Sequence, residues 1–163
     1  MNLIINGIEI AIHEDQITKL LLERLQREAA PVAALLPPAT IGKRWQGGIY
    51  AGFSLDDNGQ PCHLVLADTD RDLKHNWEAA KAWAAELTTT DNARDWSLPN
   101  RHDGIVLFNN LKDQFGDGWH WTSEQHAQDS AYAWVQVFGS GSQYGTRKSS
   151  EYRARAVRRL VIQ

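Results

Sequence analysis

Two short β-branched runs open the chain, Leu3–Ile5 and Ile8–Ile12, separated by Asn6-Gly7. Both turn residues tolerate positive φ, so this spacing predicts a small β-hairpin with a two-residue turn. The apolar period then lengthens. Across Gln16–Ala29, Ile17, Leu20, Leu21 and Leu25 fall on one stripe, while Lys19, Glu23, Arg24 and Arg27 fall elsewhere, with Glu23 and Arg27 four residues apart. That is the signature of an amphipathic helix of about three to four turns. Pro31 and the Pro37-Pro38 pair end it. A hairpin and one helix cannot bury such a stripe alone, so it must dock on the rest of the chain, on another subunit or on a larger assembly. Residues 1–38 are therefore read as a docking or oligomerisation element, and residues 39–163 as the main domain.

Beyond Ile41 the pattern changes. Gly42–Phe53 carries Trp45, the Gly47-Gly48 pair, Ile49 and Tyr50, and reads as a strand closely approached by other backbone. Asp56-Asp57-Asn58-Gly59 is a turn signal, and His63–Ala67 is the returning strand. Asn76 is placed to cap a helix over Trp77–Leu87, with Glu78 in its first turn and Trp77, Ala80, Ala84 and Leu87 on the inward stripe. Asn100 caps a second helix with Asp103 at its third position, and Ile105, Phe108 and Leu111 are expected to face inwards. Gly116-Asp117-Gly118 turns into a strand at Trp119–Ser123, and the apolar run Tyr132–Phe138 predicts a strand buried on both faces. Tyr152–Ala156 alternates as a half-exposed strand should, and the alternation breaks near Val157, where a bulge is expected. Strands and helices in this order predict an α+β domain, with two helices packed on curled antiparallel sheets.

Four of the seven tryptophans, Trp96, Trp119, Trp121 and Trp134, lie between Asp95 and Trp134, each at an element edge, and are expected to be the packing framework. The same stretch carries a resemblance. Trp96-Ser97-Leu98-Pro99 before a short helix, then Trp121-Thr122-Ser123, Ala133-Trp134 and a closing Arg155-Ala156-Val157-Arg158 resemble the domain of unknown function at the C-terminus of bacterial collagen-like adhesins and in phage proteins. That family is related to the C-type-lectin-like fold. The match covers roughly Gly42–Leu160 and departs where this chain has Asp103-Gly104 in place of the usual Glu-Leu. What the resemblance implies is a C-type-lectin-like domain with a tendency to bind ligands. A shared fold does not name the ligand.

Composition narrows the remaining choices. A chain of 163 residues with 42% hydrophobic content can bury one good core with a small appendage. A formal charge of -3 points to neither nucleic acid nor a membrane surface as a partner. From Ser140 onward, however, Arg147, Lys148, Arg153, Arg155, Arg158 and Arg159 face only Glu151. Either some of these bases pair with acids of the Asp56–Asp72 region, or they form a face for anionic glycans or phosphates. The single Cys62 rules out an internal disulfide, and the N-terminus lacks a basic segment followed by a continuous apolar one. No apolar run approaches a membrane span. Synthesis in the cytoplasm without a signal peptide, possible virion association and no membrane insertion are the expectations.

Candidate chemistry is sparse. Asp68-Thr69-Asp70-Arg71-Asp72 starts like a calcium loop, but Leu73 and Ala79 stand where Gly and a bidentate Glu belong. The calcium-binding triplets of C-type lectins (Glu-Pro-Asn or Gln-Pro-Asp, and Trp-Asn-Asp) do not occur, so sugar binding would be calcium-independent. Six histidines, at 13, 63, 75, 102, 120 and 126, show no metal-ligand spacing, and His120 and His126 are expected as unconnected surface imidazoles. Nucleophile-elbow, phosphate-loop and dinucleotide motifs are lacking too, so no cofactor is expected. The related fold of the formylglycine-generating oxidase suggests an enzyme alternative, but its chemistry needs a reactive cysteine pair. Two polar stretches, Glu124–Ser130 and Gly139–Ser150, read as adaptable loops on a rigid scaffold. From them Gln125, His126, Gln128, Asp129, Ser142, Gln143, Tyr144, Arg147 and Lys148 are the expected ligand contacts. The function expected is a non-catalytic module for phage or bacterial surface attachment that holds a glycan or cell-surface protein, with a homotrimer as one assembly. The alternative is an intracellular phage accessory protein that binds a host protein.

Overall fold

A computed structural model describes residues 2–5, 8–11, 18–25, 36–68, 74–89 and 92–162. The chain divides into two compact units, Met1–Leu36 and Pro37–Gln163. In the first, β1 (Asn2–Ile5) and β2 (Ile8–Ala11) pair antiparallel with Ile5 opposite Ile8. A helical stretch, α1, spans residues 18–25 and leaves Leu20, Leu21, Leu22 and Leu25 exposed. The remainder of the expected Gln16–Ala29 helix, Ile17 included, lies outside the described residues.

The second unit is α+β. A four-stranded sheet has the order β11-β5-β4-β3, from β3 (Arg44–Trp45), β4 (Gly48–Leu55), β5 (Pro61–Ala67) and β11 (Val157–Val161). A five-stranded sheet has the order β6-β10-β7-β8-β9, from β6 (Lys74–His75), β7 (Trp119–Gln125), β8 (Tyr132–Val137), β9 (Gln143–Arg147) and β10 (Tyr152–Arg153). Helices α2 (Trp77–Glu86) and α3 (Arg101–Leu111) complete it, followed by a 3-10 turn at Lys112–Gln114. Strand pairing is antiparallel except between β10 and β7.

β5 divides the core. Its alternate residues Leu64 and Leu66 pack with Ala51, Leu107, Leu111, Phe138 and Val157. Val65 and Ala67 join Trp77, Ala80, Ala84, Trp96, Leu98, Trp121, Ala133 and Val135 in a second cluster. Because successive strand residues point to opposite faces, one apolar run serves both cores. The buried indoles satisfy their N–H groups on backbone: Trp121 Nε1 donates to His75 O and Trp77 Nε1 to Thr122 O, both at 2.8 Å. This stitches β6, β7 and α2 together.

The α2 cap is as expected, with Asn76 Oδ1 accepting from Ala79 N at 3.0 Å. At α3 the capping box is complete: Asn100 Oδ1 accepts from Asp103 N at 2.8 Å, and Asp103 Oδ2 from Asn100 N at 2.9 Å.

Several expectations need correction. Gly42–Phe53 is not one strand but the β3–β4 hairpin, turned at Gln46 (φ 50°) and Gly47 (φ 84°) with Trp45 opposite Gly48. The close approach falls at Gly48, where a Cβ would lie 2.2 Å from Leu66 O. On α3, Leu111 is buried but Ile105 is exposed and Phe108 only half-buried. The inward positions are Asp103, Gly104 and Leu107, because Asp103 is bound by Arg159 and Gly104 presses on Gln136. In β8, Tyr132 and Trp134 are half-buried rather than enclosed. The break near Val157 is no bulge. Ala154, Arg155 and Ala156 are buried where the chain crosses from β10 in one sheet to β11 in the other.

Candidate ligand-binding face

The turn at Gly116-Asp117-Gly118 feeds β7, and a tight turn then joins β8 to β9, with Gly141 at φ 80° donating to Val137 O at 2.8 Å. Gly139–Ser150, expected as a loop, is thus mostly this turn, strand β9 and a second turn closed by Ser150 N on Arg147 O at 2.9 Å. Its polar, glycine-rich composition hid a strand whose pairing with β8 is continuous from Gln143 opposite Gln136 to Arg147 opposite Tyr132.

Side-chain alternation along β9 separates the expected contacts. Tyr144, 49% exposed, stacks on Trp119 at 5.7 Å between ring centroids. Trp119, 39% exposed, also stacks on Tyr152 at 5.3 Å. Tyr152 in turn meets the buried Trp121 edge-on at 5.1 Å, and its hydroxyl lies 3.2 Å from Thr146 Oγ1. Four successive strands of the sheet therefore support one aromatic strip, from Tyr152 on β10 through Trp119 on β7 and across β8 to Tyr144 on β9. Beside it is a cleft of about 330 Å³ lined by Lys74, Gly118, Trp119, Glu151, Tyr152 and Arg153.

Gln143 is held elsewhere. Its Nε2 donates to Arg101 O at 2.7 Å and to Gln136 Oε1 at 2.8 Å, while its Oε1 accepts from Arg101 Nε at 2.9 Å. The Arg101 guanidinium lies 3.8 Å from the Trp134 ring centroid, and His126 stacks on Trp134 at 5.1 Å. His126 also lines the backbone of Gly145, where a Cβ would come within 3.1 Å of its ring. Ser142 contributes its carbonyl to Val137 N at 2.9 Å. Asp129 holds its own turn through Ala131 N at 2.9 Å, and Gln128 N donates to His126 Nδ1 at 3.3 Å. Lys148 sits 4.1 Å from the Trp77 ring centroid and donates to Gln125 Oε1 at 2.6 Å, and Arg147 Nε donates to the Tyr132 hydroxyl at 3.3 Å. Of the nine expected contacts, Tyr144 alone stands on the aromatic strip; the others are tied to local structure or lie in separate exposed turns.

Trp119 proves to be surface rather than framework, whereas Trp96 and Trp121 are buried. Tyr152 and Lys74 are not among the expected contacts, and Arg153 is expected only as one of the basic C-terminal residues. Their signal was the exposed alternation at Tyr152-Arg153, but only the parallel pairing of Arg153 with His120 brings them beside Trp119.

The basic C-terminal residues are mostly engaged. Arg155 donates to Gln114 O at 2.8 Å and Ala67 O at 3.2 Å. Arg158 binds Gln46 O at 2.7 Å and Asp95 at 2.8 Å, and Arg159 grips Asp103 and lies 4.0 Å from Asp57. Residues 69–73, which complete the acidic stretch, lie outside the described residues.

One constellation and one lone thiol look chemical at first sight. Ser54, His102 and Asp103 meet beside a depression of about 490 Å³ lined by Asp56, Asp57, Asn100 and Glu124 among others. Ser54 Oγ donates to Asp103 Oδ1 at 2.5 Å, so toward His102 Nδ1, 3.1 Å away, it can only accept. The serine stands between the other two, and histidine cannot take its proton as a base would. Cys62 is fully buried in β5; burial first, and the Asp103 carboxylate next, push its thiol up to about 11. It is a neutral thiol at pH 7. His120, expected at the surface, is buried edge-on against Phe115 at 5.2 Å and Phe138 at 5.0 Å.

Among the described residues, no group of three or more His, Cys, Asp or Glu is placed to hold a metal ion. Among them also, no helix is long and apolar enough to cross a membrane. No protein-family model matches this chain, and no curated protein matches it either.

Proposed function

We propose that this chain is a non-catalytic, calcium-independent glycan-binding module with a C-type-lectin-like fold, serving attachment of a phage or bacterium to a surface. The observation that carries the reading is the strip of Trp119, Tyr144 and Tyr152, where the rings of Trp119 and Tyr144 remain exposed while the half-buried Tyr152 joins them to the core. Rings presented this way offer flat apolar faces to the C–H faces of a pyranose, and a rigid aromatic loses little conformational freedom on binding. The strip rests on paired strands rather than loops, which favours a preformed site. The exposed leucines of α1 fit a joining role for the N-terminal unit, with a homotrimer as the proposed assembly.

A glycan array with the full chain, followed by whole-cell binding, tests the reading. Trp119→Ala and Tyr144→Ala should each abolish array signal without unfolding the protein. A blank array, or unchanged signals in both variants, would sink it. Light scattering of the full chain tests the assembly, and a monomer at all concentrations would remove the trimer.

A further inference from the structure

The cleft beside the aromatic strip carries a polar feature that a neutral sugar does not require. Arg153 lies flat along the turn before β7: a Cβ at Gly118 would come within 2.2 Å of its Nη1 and 3.0 Å of its Cζ, and one at Gly116 within 3.2 Å of Nη1. Glycine at 118 is what lets the guanidinium lie there. Unlike Arg155, Arg158 and Arg159, which are held by carbonyls or carboxylates, Arg153 makes no hydrogen bond or ion pair among the described residues. Lys74, its antiparallel partner on β6, lines the same cleft, as does Glu151.

We infer that this cleft takes a saccharide unit bearing a single carboxylate, recognised by Arg153, with Lys74 as a second and weaker cation. The inference rests on the glycan reading above and specifies its ligand. A planar guanidinium matches a carboxylate in a two-point hydrogen-bonded pair, while the lysine ammonium adds charge without fixing geometry. Among the described lining residues, two bases and one acid give a net single positive charge, and Glu151 would repel a second anionic group. A monoanionic sugar whose ring lies on Trp119 and Tyr152 uses both walls.

Isothermal titration of the full chain with sialyllactose against lactose tests this, together with a glucuronic acid/N-acetylglucosamine tetrasaccharide against its carboxyl-reduced form. At least one acid should bind about ten- to a hundredfold tighter than its neutral counterpart, the range expected for charged hydrogen bonds. Arg153→Gln should erase that preference, bringing acid and neutral partners to the same affinity. Gly118→Ala, which displaces Arg153, should do the same, whereas Trp119→Ala should weaken acid and neutral ligands alike. Equal binding of acid and neutral partners would overturn the carboxylate inference and leave the glycan reading standing. So would array hits confined to neutral or sulfated glycans. A blank array would overturn both.

Discussion

Arg159 of β11 closes its guanidinium on the carboxylate of Asp103 in the first turn of α3. Nε donates to Oδ2 at 2.8 Å, and Asp103 is wholly buried. The same guanidinium reaches Ser97 Oγ at 2.9 Å and Leu98 O at 3.2 Å, so one side chain ties β11, the segment before α3 and the helix cap together. Removing one partner of such a pair strands a buried charge, which costs about 3–5 kcal/mol. Asp103→Ala should therefore lower unfolding free energy by roughly that much in urea titrations, and Asp103→Leu with Arg159→Met should recover most of it. Equal stability of Asp103→Ala and the parent would show that the pair contributes nothing.

Trp119 and Trp121 are two residues apart on β7 yet should behave in opposite ways. Trp121 is fully buried and hydrogen-bonded to His75 O, so Trp121→Ala should cost about 3–5 kcal/mol. Trp119 leaves much of its ring exposed, and its replacement by alanine should cost about 1 kcal/mol. Thermal melts of the two variants, run side by side, decide it; similar losses would mean that Trp119 is packing after all.

Stability should fall on mild acidification because of His63. Its ring is packed among Trp45, Tyr50 and Phe53 at 5.6, 5.7 and 4.9 Å, and Nδ1 is hydrogen-bonded to the Tyr50 hydroxyl at 3.1 Å. Burial lowers its pKa, so the folded protein holds the neutral form to a lower pH than the unfolded chain does. As pH drops below about 6.5, the unfolded chain takes up the proton first and stability is lost until the folded-state pKa is passed. The converse holds for Tyr50, whose pKa is raised by burial: stability should decline as pH rises beyond about 10. Urea midpoints of the parent and His63→Phe between pH 5 and 8 would reveal the acid arm, which the variant should flatten. A parallel decline in both would assign it to other groups.

Cys62 should resist thiol reagents. It is buried and its thiol is pushed up to about 11, so at pH 7.5 labelling requires opening of β5. The labelling rate should rise with urea in step with unfolding. Rapid labelling of the native protein would reopen Cys62 as a reactive group.

Much of the local architecture can be read directly from residue order. Asn76 and Asn100 announce helix starts, Asp56–Gly59 announces a turn, and the short apolar run ending at Ala67 announces a central strand. Each is a preference expressed within a few residues of backbone, through a cap, a positive φ or a period of two. Gly47-Gly48 told of close approach, but not that Gln46-Gly47 would turn the chain back on itself.

The candidate site is a different matter. Lys74, Gly118-Trp119 and Glu151–Arg153 come from three distant stretches, and no local preference links them. They meet because β10 pairs with β6 on one side and β7 on the other before the chain crosses to β11. Nor does residue type distinguish exposed Trp119 from buried Trp121, or foretell that Asp103 would be enclosed while Ile105 is not. Hydrogen-bonding and turn preferences act over one or two turns of backbone, and those are written in the order of residues. Which strands become neighbours, and so which side chains reach solvent together, depends on burial and pairing summed over the whole domain.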